Sequence, residues 1–227
     1  MYLGRIVAIG MTPAGKAAAM YRVSSRSFPN REAVLNNNQI SIMPRAGFEG
    51  DLRKNPYITY NCIRLAGEWA VATNGSQTDP IVEKLAMGYP ARDAISLSLL
   101  AMDYEKDSLD TPRIVAVVGR KVRKGYLGII RKDALLVREF DLVPGQIRYL
   151  STYEKNRPCD DQVTDGFDGV CAKCAVNYIV DGGIFADFTN PVTSAAASSI
   201  RVERSQKCVK KRRSGVGGSG SGGVLGP

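Results

Sequence analysis

The densest chemical potential in the chain lies between Arg22 and Arg31, where three arginines, Ser24, Ser25, Ser27 and Asn30 crowd into ten residues. Guanidinium forks match phosphate oxygens bidentately, and serine hydroxyls with loop N–H groups complete an anion cradle. A solvated basic loop has the same composition, so this segment alone names no ligand. Tyr57-Ile58-Thr59-Tyr60-Asn61-Cys62 reads as a strand on which Tyr60 and Cys62 share one face and Asn61 takes the other. Tyr60 is a candidate for proton transfer, although core packing is the commoner fate of a strand tyrosine. Asp103-Tyr104-Glu105-Lys106-Asp107 gathers three carboxylates and a lysine at the end of a helical pattern, which suits a general base or a charged helix end in water. The Ala72-Thr73-Asn74-Gly75 turn adds amide and hydroxyl groups at a strand end.

There is no histidine. Ser-His-Asp and Cys-His hydrolases, histidine-ligated zinc sites and H-E-x-x-H proteases are excluded in their usual forms. Proton transfer must use Asp, Glu, Lys, Tyr, Cys or water. Cys171-Ala172-Lys173-Cys174 has the spacing of a zinc or redox half-site. A structural zinc would need two more ligands from Cys159, Cys208 or a carboxylate, and incidental thiols account for the motif more simply. The five cysteines form an odd count without an export signal, which argues against a disulfide framework.

The elements that must position these groups follow from periodicity. Residues 2–9 and 17–24 read as a hairpin turned by Thr12-Pro13-Ala14-Gly15-Lys16. A short strand around Gln39–Met43 follows, then Tyr57–Leu65 and Glu68–Thr73, the last ending at Asn74-Gly75. Asp79-Pro80 suits a helix start over Pro80–Met87. A second helix over Ala91–Tyr104 lines up Ile95, Leu99 and Met102, with Ala94, Ser98 and Ala101 as a small-residue stripe beside them. Strands resume at Arg113–Val118, Tyr126–Arg131, Leu135–Phe140 and Gln146–Tyr153; beyond them Val176–Asp181 reads as a strand and Pro191–Ile200 as a short helix. Strands, two helices, then strands give an α+β layered architecture.

With 227 residues, 44% apolar and 23% charged, the chain has the composition of a water-soluble globular domain. Its longest strongly apolar runs are far short of the roughly 20 residues needed to span a bilayer, and MYLGRIVAIG lacks the layout of a leader, so the expected location is cytoplasmic. The net charge is +9, but residues 207–227 hold five basic residues and no acid, leaving +4 in residues 1–206. We expect one domain over 1–206 and a basic, then Gly/Ser-rich flexible tail over 207–227. Lys210-Lys211-Arg212-Arg213 resembles a localisation or nucleic-acid patch, yet such terminal runs are usually solvated.

MYLGRIVAIG, YRVSSRSFPNR (Tyr21–Arg31), NPYITYNC (Asn55–Cys62), VATNG (Val71–Gly75), RDAISLSLLAMDYEKD (Arg92–Asp107) and TPRIVAVV (Thr111–Val118) together resemble the archaeal IMP cyclohydrolase family. The likeness covers about the first 155 residues. It implies a four-layer α-β-β-α sandwich like that of the N-terminal-nucleophile hydrolases, although Met1 followed by Tyr2 offers no such nucleophile. The implied reaction closes 5-formamidoimidazole-4-carboxamide ribotide to inosine monophosphate (IMP) with loss of water, the last step of de novo purine synthesis. Under that resemblance Arg26 and Arg31, with Ser24, Ser25 and Asn30, are candidates for the phosphate. Arg22 is a candidate for orienting substrate or steadying an oxyanion, Tyr60 and Glu105 for proton transfer, and Asn61, Asn74 and Arg92 for base or ribose. The chemistry calls for no metal and no cofactor, and implies no nucleic-acid or membrane partner; a homo-oligomer is compatible with it. The competing reading is a basic module that binds a nucleotide or RNA without turnover.

Overall fold

A computed structural model describes residues 1–198 and 201–204. The expected tail over 207–227 and Cys208 lie outside the described residues.

Alternating apolar residues make two antiparallel sheets. In the first, β1 (Ile6–Met11) and β2 (Ala17–Ser24) form a hairpin. Gly15, at φ +76°, lets its N–H reach Thr12 O (2.9 Å), while the Thr12 hydroxyl accepts the Lys16 N–H at 3.0 Å. β1 also pairs with β10 (Ile147–Ser151), which carries the short β11 (Val163–Thr164), and β2 pairs with β12 (Pro191–Ser198), followed by β13 (Arg201–Arg204). The second sheet is a seven-stranded meander: β3 (Arg31–Asn36), β4 (Gln39–Pro44), β5 (Tyr60–Ala66), β6 (Trp69–Thr73), β7 (Arg113–Gly119), β8 (Lys124–Arg131) and β9 (Ala134–Asp141). The helices are the single turn α1 (Asp51–Lys54), α2 (Thr78–Ala86), α3 (Ala91–Met102) and α4 (Ala172–Asp181). Among the described residues no helix is long and apolar enough to cross a membrane.

Because neighbouring side chains on a strand face opposite ways, each sheet feeds two cores. Val7, Ile9, Tyr21 and Val23 of the first sheet meet Ile40, Ile42, Cys62, Ile114 and Leu127 of the second. On the outer face of the first sheet, Ile6, Met20 and Tyr149 pack with Val176 and Ile179 of α4 and with Phe185. On the outer face of the second, Val71, Val115 and Val117 pack with Ile81 and Leu85 of α2 and Ile95 and Leu99 of α3. The chain is thus an α+β protein, with α4 outside one sheet and α2–α3 outside the other.

Two expected elements change type. The segment read as a strand over Val176–Asp181 belongs to α4, whose buried residues Ala172, Ala175, Val176 and Ile179 recur at helical spacing. The β-branched residues at its end favoured a strand only in a window too short to show that period. Pro191–Ile200, read as a helix, is strand β12 over its described part, paired between β2 and β13 and buried from Val192 to Ser198. Its alanines and serines are set by space: Ala195 and Ala197 fill the narrow gap between the sheets, while Ala196 packs towards α4. Ser194 Oγ donates to the Val176 carbonyl of α4 at 3.2 Å.

Candidate active site

A cleft of about 270 Å³ opens where the N-terminal segment, the loop after β2, the loop before β5 and the loop after α3 converge. Tyr2, Arg5, Ser25, Arg26, Ser27, Phe28, Arg31, Tyr57, Asp107 and Tyr153 are among its lining residues. The loop after β2 is shaped by its own hydrogen bonds: Ser25 Oγ accepts the Phe28 N–H at 3.0 Å, and Arg31 Nε donates to the Phe28 carbonyl at 3.1 Å. Arg31 opens β3 and is buried, whereas Arg26 is exposed and lies 4.0 Å over the Tyr2 ring. Gly4, at φ +75°, holds the N-terminal segment so close to β10 that a Cβ there would strike the Thr152 hydroxyl and the Tyr153 ring.

Two buried groups lie beside this cleft. Tyr21 on β2 and Tyr60 on β5 meet across the gap between the sheets, their hydroxyls 2.6 Å apart. Burial pushes both hydroxyls above the usual tyrosine range; the Arg31 and Arg5 guanidiniums pull Tyr60 part of the way back. The second group is Glu105, 1% exposed, in the loop after α3. Its N–H donates to the Thr111 carbonyl at 2.8 Å, and Asp107 braces the same loop by accepting the Thr111 N–H and hydroxyl. Glu105 Oε2 accepts from Arg5 Nη2 at 2.6 Å. Its Oε1 is buried, has no hydrogen-bond donor among the described residues and stands 3.9 Å from Arg113 Nη1. Burial pushes the Glu105 carboxyl above the ordinary carboxylate range despite the pull of Arg5 and Arg113. An acidic group whose proton is held more tightly than usual, beside a cationic wall, is a candidate for proton transfer.

Arg113 is fixed from behind. Its Nε donates to the Asp103 carbonyl at 2.8 Å and its Nη1 to Gln77 Oε1 at 3.1 Å. Gln77 in turn donates to Asn74 Oδ1 at 2.9 Å, and Asn74 donates to the Pro112 carbonyl and accepts the Ile114 N–H. Gly75 makes room for this chain, since a Cβ there would lie 2.6 Å from both Arg113 Nη1 and Gln77 Oε1 and 3.4 Å from Glu105 Oε1.

The residues expected from sequence divide accordingly. Ser25, Arg26 and Arg31 line the cleft; Tyr60 and Glu105 sit beside it through Tyr21, Arg31 and Arg5. Arg22 does not reach it. Alternation on β2 sends Arg22 to the face opposite Tyr21, where its guanidinium donates to Ser24 Oγ and to the carbonyls of Ile179, Val180, Phe185 and Phe188. Its work is to tie the end of α4 and the following 3₁₀ segment (Gly183–Asp187) to the sheet. Ser24 is engaged by that same guanidinium. Asn30 offers its carbonyl to the Arg45 N–H and does not line the cleft. Asn61 faces α2, accepting from Ser41 and donating to Asp79; Asn74 is consumed behind Arg113; Arg92 is exposed on α3 and paired with Asp93 at 2.8 Å. Sequence reasoning missed Arg5, Tyr21 and Arg113. Tyr21 carried a signal, since strand alternation puts it on the face opposite Arg22, whereas Arg5 and Arg113 become recognisable only once the loop after α3 lies between them.

A cleft walled by guanidiniums and serines, backed by buried phenols and a carboxylate in a two-sheet α+β frame, has the chemistry of a site for a small anionic molecule that undergoes proton transfer. Residues 2–203 match the family described as IMP cyclohydrolase-like protein, and the chain belongs to that family. The IMP cyclohydrolase of Methanosphaera stadtmanae is 49% identical over 197 residues, covering 87% of this chain and 94% of that protein. That of Methanocella arvoryzae is 60% identical over 156 residues, covering 68% and 75%. That of Methanococcus maripaludis (strain S2 / LL) is 43% identical over 196 residues, covering 86% and 94%.

Proposed function

We propose that the chain is an IMP cyclohydrolase, closing 5-formamidoimidazole-4-carboxamide ribotide to IMP with loss of water. The observation that carries this reading, beside the family, is the convergence of Arg5, Arg26 and Arg31 on a cleft next to the Tyr21–Tyr60 and Glu105 groups. The layering of two sheets between helices supports the further reading of an N-terminal-nucleophile-hydrolase-like sandwich working without that nucleophile.

In this reaction the carboxamide nitrogen attacks the formyl carbon of the same molecule. The carboxamide nitrogen loses a proton as it bonds to the formyl carbon, whose oxygen gains negative charge and takes up a proton; the formamide nitrogen then loses its proton and forms the C=N bond as the C–O bond breaks and the oxygen leaves with a second proton as water. A carboxamide is a weak nucleophile, so positioning and charge stabilisation must supply most of the rate. Arg26 and Arg31, with Ser25, hold the phosphate. Arg5 takes the role first considered for Arg22, steadying the developing oxyanion. Tyr60, hydrogen-bonded to Tyr21, delivers a proton to the departing oxygen. Glu105, whose Oε1 is an acceptor without a donor, receives the amide proton.

Incubating the protein with the formamido ribotide and following IMP tests the proposal. Stoichiometric conversion is expected. Tight IMP binding with no turnover would overturn it in favour of a nucleotide-binding module.

A further inference from the structure

The C-x-x-C segment lies on α4, on the outer face of the first sheet, and the cyclisation chemistry does not use it. Cys171 is the N-cap residue of α4 and is exposed; Cys174 follows in the first turn, half-buried. Their sulfurs are 3.5 Å apart. A disulfide needs the sulfurs at about 2.05 Å and the Cβ atoms at about 3.5–4.5 Å, so closing one requires a small movement of the extended N-cap residue Cys171 towards the first turn. Among the described residues no side-chain hydrogen bond caps α4, and its first turn holds no acid. The other described cysteines differ: Cys62 is buried between the sheets and Cys159 sits beside Asp161, and burial pushes both thiols up.

We propose that Cys171 and Cys174 form a dithiol site that undergoes thiol–disulfide exchange with a low-molecular-weight disulfide, closing an internal disulfide across the first turn of α4. The Cys171 thiolate attacks one sulfur of the disulfide, forms a mixed disulfide and expels the first thiolate. Cys174 loses its proton to water and attacks the Cys171 sulfur, breaking the mixed disulfide and expelling the second thiolate. Both expelled groups take up protons. The small disulfide is reduced by two electrons to two thiols, and the protein dithiol is oxidised by two.

The test equilibrates the reduced full chain with oxidised glutathione and reads intact mass and a tryptic map. Cleavage after Lys173 separates the two cysteines, so their disulfide appears as a joined pair of peptides. The expected result is loss of two hydrogens per chain, with the Cys171 and Cys174 peptides joined. Cys174→Ser should stop at one glutathionyl group on Cys171, and Cys171→Ser should form no internal link. Retention of glutathione on the wild-type chain without the link, or no change of mass at a glutathione ratio that oxidises dithiothreitol, overturns the proposal. Neither readout depends on cyclisation.

Discussion

Glu105 shows how a single residue acquires chemistry from its surroundings. In isolation it is one acid in a charged helix end; in the fold it is buried, with one oxygen on Arg5 and the other without a donor. Since burial raises its pKa, the folded protein holds this proton to higher pH than the unfolded chain. Its contribution to stability is therefore full below the ordinary carboxylate pKa and lost as pH rises through the folded value. Glu105→Gln cannot ionise, so its stability relative to the parent should rise from about pH 4 to pH 7, as read by urea midpoints at each pH. The same variant should lower kcat by about 10²–10⁴. Loss of the proposed phosphate contact has another signature. Arg31→Ala should weaken IMP binding by roughly one to two decades, corresponding to about 1.5–3 kcal/mol, measured by titration calorimetry on folded protein.

At the scale of elements, alternation on β2 decides which side chains serve the site. Tyr21 faces the gap between the sheets and meets Tyr60, while Arg22 turns outward to the carbonyls ending α4. Arg22→Met removes the guanidinium from those carbonyls, of which Phe185 O keeps the Phe188 N–H, and should cost about 1–3 kcal/mol for each buried carbonyl left unsatisfied, seen as a fall in the denaturation midpoint. The turn after β6 works from behind. Gly75→Ala would push a methyl against Arg113 and Gln77, so it should cost about 1–3 kcal/mol and lower kcat more than it raises KM. Strand alternation was readable in the sequence, including the opposed faces of Tyr60 and Asn61. What local pattern could not supply was tertiary contact: α4 was read as a strand from a short β-branched window, and β12 as a helix from its small residues, whose reason is the narrow space between β2, β13 and the opposite sheet.

At the scale of the molecule, two sheets face one another so that loops from both reach one cleft, and the first sheet brings Arg5 and Tyr21 to Tyr60 and Glu105. The cleft's Ser25–Arg31 wall was legible because its arginines and serines are contiguous in sequence. Arg5, Glu105 and Arg113 were not legible as a group, since they lie far apart in the chain and meet only through long-range folding. The central claim is that this cleft performs cyclisation and that Tyr60 acts along the reaction path. Turnover of the formamido ribotide by Tyr60→Phe, with IMP affinity measured on the same preparation, tests it most directly. The account predicts a fall in kcat of about 10²–10⁴ with affinity nearly unchanged; near-normal turnover by the folded variant would contradict it.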